Sequence, residues 1–364
     1  MILALETSCD DTCAAVLDAD GRVRSNVISS QEAHARFGGV VPEIASRHHL
    51  QQVNAIVEQA LARADASFED VELVSATQGP GLVGALLVGL STAKALAAAR
   101  ELPFAPVDHL QGHVAANFLP DGDEDEGRRS MPDRGPGRRS VPARAFEPPF
   151  VCLIASGGHT LLALVREHDG FEIVGRTLDD AAGEAFDKGA RLLGLGYPGG
   201  AALERLASDG DAAAFSFPGS PHERAHGARG ARRKAFADSL DFSFAGVKTA
   251  LLYTVRELGE DAVRDRAADL AASYQAAIVE QLIGRVRRGL AQTGMRRLAV
   301  GGGVAANGKL RERLRELDVE LHVPPRSLCT DNAAMIASAA RFREPLPYPR
   351  YLALDAYATG EPRR

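Results

Sequence analysis

The stretch Phe150 to Leu164 reads as an apolar run, a turn of hydroxyls and glycines, and a second apolar run, and the same plan occurs at the N-terminus. There Ile2 to Leu5 leads through Glu6-Thr7-Ser8-Cys9-Asp10-Asp11-Thr12 into Cys13 to Leu17. Each hairpin next meets an Asp-Gly turn, Asp20-Gly21 in one and Asp169-Gly170 in the other, ahead of a third strand candidate. Two such units about 150 residues apart predict two similar α/β lobes that face each other across a cleft, each presenting a turn to it. Two hairpins in unrelated domains would leave the same local pattern. In the central turn, Gly157 and Gly158 allow positive φ and bring backbone N–H groups close to a ligand, so that the turn can hold phosphate oxygens.

With 364 residues the chain has room for two domains. A formal charge of −6 argues against a protein that coats nucleic acid non-specifically, though a local basic patch can still hold a folded RNA. The four cysteines, at 9, 13, 152 and 329, form no Cys-x-x-Cys pair, so neither a zinc ribbon nor a disulfide framework is indicated, and a reducing cytoplasm is expected. Met1 leads directly into a strand, leaving no space for a signal peptide, and the most apolar window, Gly81 to Leu90, is too short to span a bilayer.

A helix is expected from Pro42, with Val53, Ile56, Val57, Ala60 and Leu61 on its buried face. His48 and His49 splay about 100° apart on it and are expected at the surface or in a cap. Leu73 to Thr77 is a strand delivered to Gly79-Pro80-Gly81 and a helix reaching about Ala99. His109 and His113, at i and i+4, share one helix face, a spacing that suits zinc or iron but lacks a third ligand. No Glu follows the first His, so this is not the zinc-protease pattern.

Asp121 to Pro149 is Gly-, Pro- and charge-rich and reads as a flexible insertion. Asp179 to Lys188 sets acids among small residues that allow close approach, ahead of a helix ending at Leu195 and the turn Tyr197-Pro198-Gly199-Gly200. Gly219 to Lys234 is an exposed loop or an RNA contact. Phe242 to Thr249 enters a helix, and a long amphipathic helix is expected to start at Tyr274-Gln275. Leu298-Ala299-Val300 runs through Gly301-Gly302-Gly303 to Asn307, a glycine turn at a helix N-terminus that favours an anion or a nucleotide. Thr330-Asp331-Asn332 caps a helix beginning near Ala333, with Asp331 either a cap or the missing metal ligand.

In this order, Glu6-Thr7-Ser8-Cys9-Asp10, Gly39 to Ser46, Gly79-Pro80-Gly81-Leu82, the histidine pair, Ser156-Gly157-Gly158-His159-Thr160, Asp179 to Lys188, Gly302 to Asn307 and Thr330-Asp331-Asn332 resemble the TsaD family, bacterial branch. These are tRNA N6-adenosine threonylcarbamoyltransferases. The resemblance implies an actin/Hsp70-like (ASKHA) α/β fold of two ribonuclease-H-like lobes around a nucleotide cleft. The lobes would comprise residues 1–120 with about 331–364, and 150–330, joined through 121–149.

It also implies a divalent metal, iron(II) with zinc as the alternative, on His109, His113 and Asp331. Substrate positions fall on Ile154, Ala155, Ser156, Gly157, Gly158, Asp187, Gly200 and Asn307. Asp10 and Asp11 are the candidate catalytic carboxylates, Asp11 standing where the family usually has Glu. Ala245 replaces a usual Ser, which marks that hydroxyl as dispensable, and Cys9 is expected to pack. The implied reaction moves threonylcarbamoyl from threonylcarbamoyl-AMP to the N6 amine of the tRNA adenosine beside the anticodon, with TsaB and TsaE as protein partners and cytoplasm as compartment. A small-molecule carbamoyltransferase and an Hsp70-like ATPase switch share the lobes and are the competing activities.

Overall fold

The computed structural model describes residues 1–120, 146–219 and 239–359. Most of the expected 121–149 insertion and of the 219–234 loop lies outside them. Residues 146–149 belong to the folded body: Phe146 is buried, 5.1 Å from the Phe150 ring and stacked on His322 at 5.2 Å. A large aromatic with two partners gains more from burial than from solvent.

The first sheet contains β1 (Ile2–Glu6), β2 (Asp11–Leu17), β3 (Val23–Ser30), β4 (Leu73–Gly79) and β5 (Phe104–Asp108), in the order β3-β2-β1-β4-β5. The second contains β6 (Phe150–Ala155), β7 (Thr160–Val165), β8 (Glu172–Arg176), β9 (Arg297–Gly301) and β10 (Glu320–His322), in the order β10-β9-β6-β7-β8. In each, the first strand pairs antiparallel with the second and parallel with the fourth. The repeat expected from the two hairpins is therefore present in strand order and direction, the ribonuclease-H-like arrangement twice over.

Alternation along the strands sorts side chains into three layers. Leu3 and Leu5 face α1 (Pro42–Arg63) and α2 (Val83–Ala99) in one outer core. Val151, Leu153 and Ala155 face α4 (Ala182–Leu192), α5 (Gly199–Ala207) and the Ala267–Thr293 helix in the other. That long helix starts seven residues before Tyr274, whose ring lies wholly buried in its third turn. The sequence signal was delayed because Ala267 to Ser273 is small-residue helix without a strong apolar stripe.

Between the sheets, Ile2, Ala4, Cys13 and Ala15 meet Cys152, Ile154, Leu161 and Ala163 through two helices, α3 (His109–Ala115) and Ala333–Ala340. Every residue of both helices is buried. Gly112 is what lets them touch: a Cβ there would stand 2.8 Å from Ile336 Cδ1. This middle layer carries the site.

Candidate metal centre and cleft

Strand β5 ends in Asp108, whose Oδ1 accepts from the N–H groups of Leu110 (2.8 Å) and Gln111 (3.1 Å) and so caps α3. Capping fixes the rotation of the helix, which turns His109 and His113 into the middle layer with ring centroids 4.7 Å apart. On the facing helix the cap is Asn332, whose Oδ1 accepts from Met335 N–H at 3.0 Å. Asp331 is thereby not the cap, and its Oδ1 lies 3.5 Å from His109 Nε2 and 3.4 Å from His113 Nε2.

One ligand atom from each of the three residues lies within 4.8 Å of the others. Ligands at about 2.0–2.2 Å from a common ion are spaced about 3–3.5 Å apart, so the nitrogens and oxygen need little movement to share one. Neither ring nitrogen of His113 makes a hydrogen bond, although the ring is fully buried, and the 3.4 Å approach of Asp331 lacks hydrogen-bond geometry. Two imidazoles, one carboxylate and an orphaned buried nitrogen fit a divalent transition metal.

Burial alone would lower the His109 pKa, yet Asp331 and Glu6 reverse this and raise it to about 9. Burial disfavours the Asp331 anion, but His109 and His113 hold its carboxyl well below the usual range. Beside them, His159 from the central turn is lowered to about 4 by burial and then by the two histidines.

Glu6 is a site residue that the sequence reading missed. It is 1% exposed and accepts from His109 Nδ1 at 3.0 Å. The signal available was a carboxylate closing an otherwise unbroken apolar strand, Ile2-Leu3-Ala4-Leu5. His49 was also misplaced, since it is buried rather than at the surface or in a cap. Its Nδ1 is 2.8 Å from Thr12 Oγ1 and its Nε2 is 3.0 Å from the Cys9 carbonyl, so it ties α1 to the Cys9-Asp10-Asp11 turn.

That turn faces the second lobe. Asp11 is raised to about 7 by burial, against a bond from Ser30, with Asp331, Asp10 and Glu6 adding repulsion. Across the cleft, burial followed by the charges of Asp10 and Asp187 raises the Tyr197 phenol. Asp187 is itself raised by burial, and Asp10 adds to the shift. Arg191 of α4 donates to the Gly38 carbonyl of the first lobe.

The expected substrate positions differ in what they offer. Ile154 and Ala155 are paired within β6, their side chains in the middle and outer cores. Ser156 Oγ accepts from His159 N–H at 3.1 Å and closes the turn. Gly157 and Gly158 are exposed, do not use the positive φ open to them, and would have nothing within 4 Å of an added Cβ. Their use is open backbone, while the close approach comes from Gly183, where a Cβ would meet the Ser156 carbonyl at 2.7 Å.

Asp187 Oδ1 accepts from Gly199 (2.8 Å) and Gly200 (3.2 Å), fixing the start of α5. Asn307 caps the Gly308–Arg315 helix after a short 3-10 turn, Gly303–Ala306, rather than receiving the glycine turn directly. Its Nδ2 donates to Gln275 Oε1 at 2.8 Å. The Asp179-Asp180 pair is structural here. Asp179 accepts from the N–H groups of Phe244 and Ala245 at the start of the Ala245–Leu258 helix, and Asp180 binds Lys188 and Lys248. Ala245 is held through its backbone N–H, which donates to Asp179 Oδ1 at 3.2 Å.

Comparison with known proteins agrees with this assembly. A family model described as TsaD, tRNA N6-adenosine threonylcarbamoyltransferase, matches residues 22–127 and 139–338. The enzyme of that name from Syntrophus aciditrophicus is 46% identical over 343 residues, covering 93% of this chain and 90% of its own length. That from Caldicellulosiruptor saccharolyticus is 42% identical over 348 residues, covering 94% and 93%. Among solved structures, HypF from T. kodakarensis aligns with a TM-score of 0.55 at 13% identity, over 93% of this chain and 47% of that one, a likeness of fold alone. With the doubled sheet, this is the actin/Hsp70-like fold expected from the sequence. The chain belongs to the TsaD family of tRNA N6-adenosine threonylcarbamoyltransferases.

Proposed function

We propose that this chain transfers the threonylcarbamoyl group of threonylcarbamoyl-AMP to the N6 amine of adenosine 37 in tRNAs reading ANN codons, with release of AMP. The bond formed joins N6 to the carbamoyl carbon, the bond broken is the acyl–phosphate C–O bond, and N6 loses one proton. The observation that carries this reading is the meeting of His109, His113 and Asp331 beside the open Ser156-to-His159 turn, in a chain of this family.

A divalent ion held by the triad, iron by this reading and zinc as the alternative, supplies Lewis-acid polarisation of a donor oxygen. Backbone N–H groups of Gly157 and Gly158 would hold phosphate or carbonyl oxygens as charge develops, a role supported by the open space around both residues. Asp187 and Gly200 hold each other at the far wall, where the nucleotide would lie. Asp11, pushed up to about 7, has the proton affinity to take the N6 proton near neutral pH, with Asp10 beside it in the same turn.

TsaB and TsaE are the proposed protein partners. Leu50 on α1 and Val83 and Leu87 on α2 are exposed on helices that pack side by side, an apolar face suited to the helical pairing with TsaB. No helix among the described residues is long and apolar enough to cross a membrane, and the compartment proposed is the cytoplasm.

The test incubates the chain with TsaB, TsaE, synthetic threonylcarbamoyl-AMP and unmodified tRNA, comparing wild type with His113→Ala, and analyses tRNA nucleosides by mass spectrometry. Threonylcarbamoyladenosine that appears with wild type and vanishes with the variant is the expected result. AMP release without modified nucleoside would instead favour a small-molecule acceptor.

A further inference from the structure

We propose that Glu6 is the positioning residue of the metal centre, selecting the tautomer in which His109 offers Nε2 to the ion. The inference rests on the reading of His109, His113 and Asp331 as ligands. A carboxylate with 1% exposure at the end of an apolar strand is costly unless donors surround it. Glu6 has three. Ser8 N–H donates to Oε1, while Thr77 Oγ1 (2.5 Å) and His109 Nδ1 (3.0 Å) reach Oε2. One carboxylate thus joins β1, the turn after it, β4 and α3.

The consequence for His109 follows from hydrogen-bond chemistry. An ionised carboxylate only accepts, so Nδ1 must keep its hydrogen, and it is Nε2 that gives up its proton and offers the lone pair to an ion. Nε2 is the atom 3.5 Å from Asp331 Oδ1. Ser8 Oγ, 3.2 Å from the same Nδ1, can accept alongside Glu6 or donate elsewhere without changing this. His113 has no such partner, so the carboxylate anchor of the pair is on His109 alone among the described residues.

Glu6→Gln keeps shape and size but removes the symmetry of acceptors. With its oxygen toward Thr77 and His109, the amide NH2 opposes Ser8 N–H. Flipped, the NH2 faces Nδ1 and draws the hydrogen to Nε2, where the ion would bind. Either arrangement weakens metal binding.

The experiment titrates the metal-free, full-length chain with Zn(II) against a chromophoric chelator, and with Co(II) by visible absorption, for wild type, Glu6→Gln and His113→Ala. Expected are one tight site in wild type, its loss in His113→Ala, and affinity about 10- to 100-fold weaker in Glu6→Gln, with an altered Co(II) spectrum and an apo-protein that still folds cooperatively at a lowered melting temperature. Glu6→Gln affinity within about twofold of wild type overturns the proposal. Wild type that binds no ion, or binds it equally well as His113→Ala, overturns the metal reading itself, a separate outcome seen without the Glu6 variant. Should Glu6→Gln not fold, the 15N spectrum of zinc-loaded wild type with labelled histidine decides: His109 ligated through Nε2 with a protonated Nδ1 upholds the proposal, and ligation through Nδ1 ends it.

Discussion

Between the paired residues Glu6 and Cys13 the N-terminal hairpin carries six residues, Thr7 to Thr12, whereas between Ala155 and Thr160 the central hairpin carries four, Ser156 to His159. The two turns occupy equivalent places in equivalent sheets. In the longer one Thr7, Ser8 and Thr12 are buried, and His49 and Glu6 fasten it from either side. In the shorter one Gly157 and Gly158 leave bare backbone facing open space. The longer turn presents side chains and carboxylates beside the candidate metal triad, and the shorter presents bare backbone. A duplicated scaffold thus fixes where two loops meet, and two extra residues decide which of them carries acid.

The largest effect that would break this comparison is at the ion-binding side. Asp331→Asn retains volume but removes the charge facing both histidines, and metal per chain should fall below about a tenth. Transfer should drop about 10³-fold, in line with the several kcal/mol of a Lewis acid at 1.36 kcal/mol per tenfold. Elemental analysis with the nucleoside assay reads it, and full metal retention would place the site elsewhere.

Next comes the fastening of the longer turn. His49→Ala leaves the Thr12 hydroxyl and Cys9 carbonyl without their shared partner, and urea unfolding should show a loss of about 2–3 kcal/mol. Unchanged stability would mean that the turn holds itself, as the shorter one does.

For the shorter turn the comparison predicts the reverse split. Gly157→Ala meets no neighbour within 4 Å and requires no positive φ, so stability should stay within about 0.5 kcal/mol. The added methyl stands over the amides, and transfer should slow about 10- to 100-fold. A loss of stability with normal activity would assign this turn to the fold rather than to substrate.

The smallest effect is a pH dependence in the longer turn. Asp11 is raised to about 7 in the folded chain from an ordinary value near 3.8, so between these the native state holds the extra proton and stability falls as pH rises. Asp11→Asn lacks this penalty. Its unfolding free energy in urea should match wild type near pH 4 and exceed it above pH 7, by on the order of 1 kcal/mol after allowance for partial exposure. A difference that does not vary with pH would show that Asp11 is an ordinary surface acid.

Much of the fold was legible because it rests on short-range patterns. Alternation marked the hairpins, Pro42 the start of α1, and i, i+4 spacing the shared face of His109 and His113. The same patterns misjudged His49, whose burial depends on a turn some 40 residues earlier.

The sequence by itself determined the two strand-turn-strand hairpins, the positions of the turns and the helical face of the histidine pair, since period, glycine and capping chemistry act between near neighbours. Only the tertiary structure decided that Asn332 caps and Asp331 is left to face the histidines, that Glu6 stands behind His109, and that the acidic and glycine turns share one cleft. The physical reason is that a buried polar atom takes its role from the donors and acceptors packed around it. In this chain those come from segments hundreds of residues apart, brought together between two sheets by helices small enough to touch at Gly112.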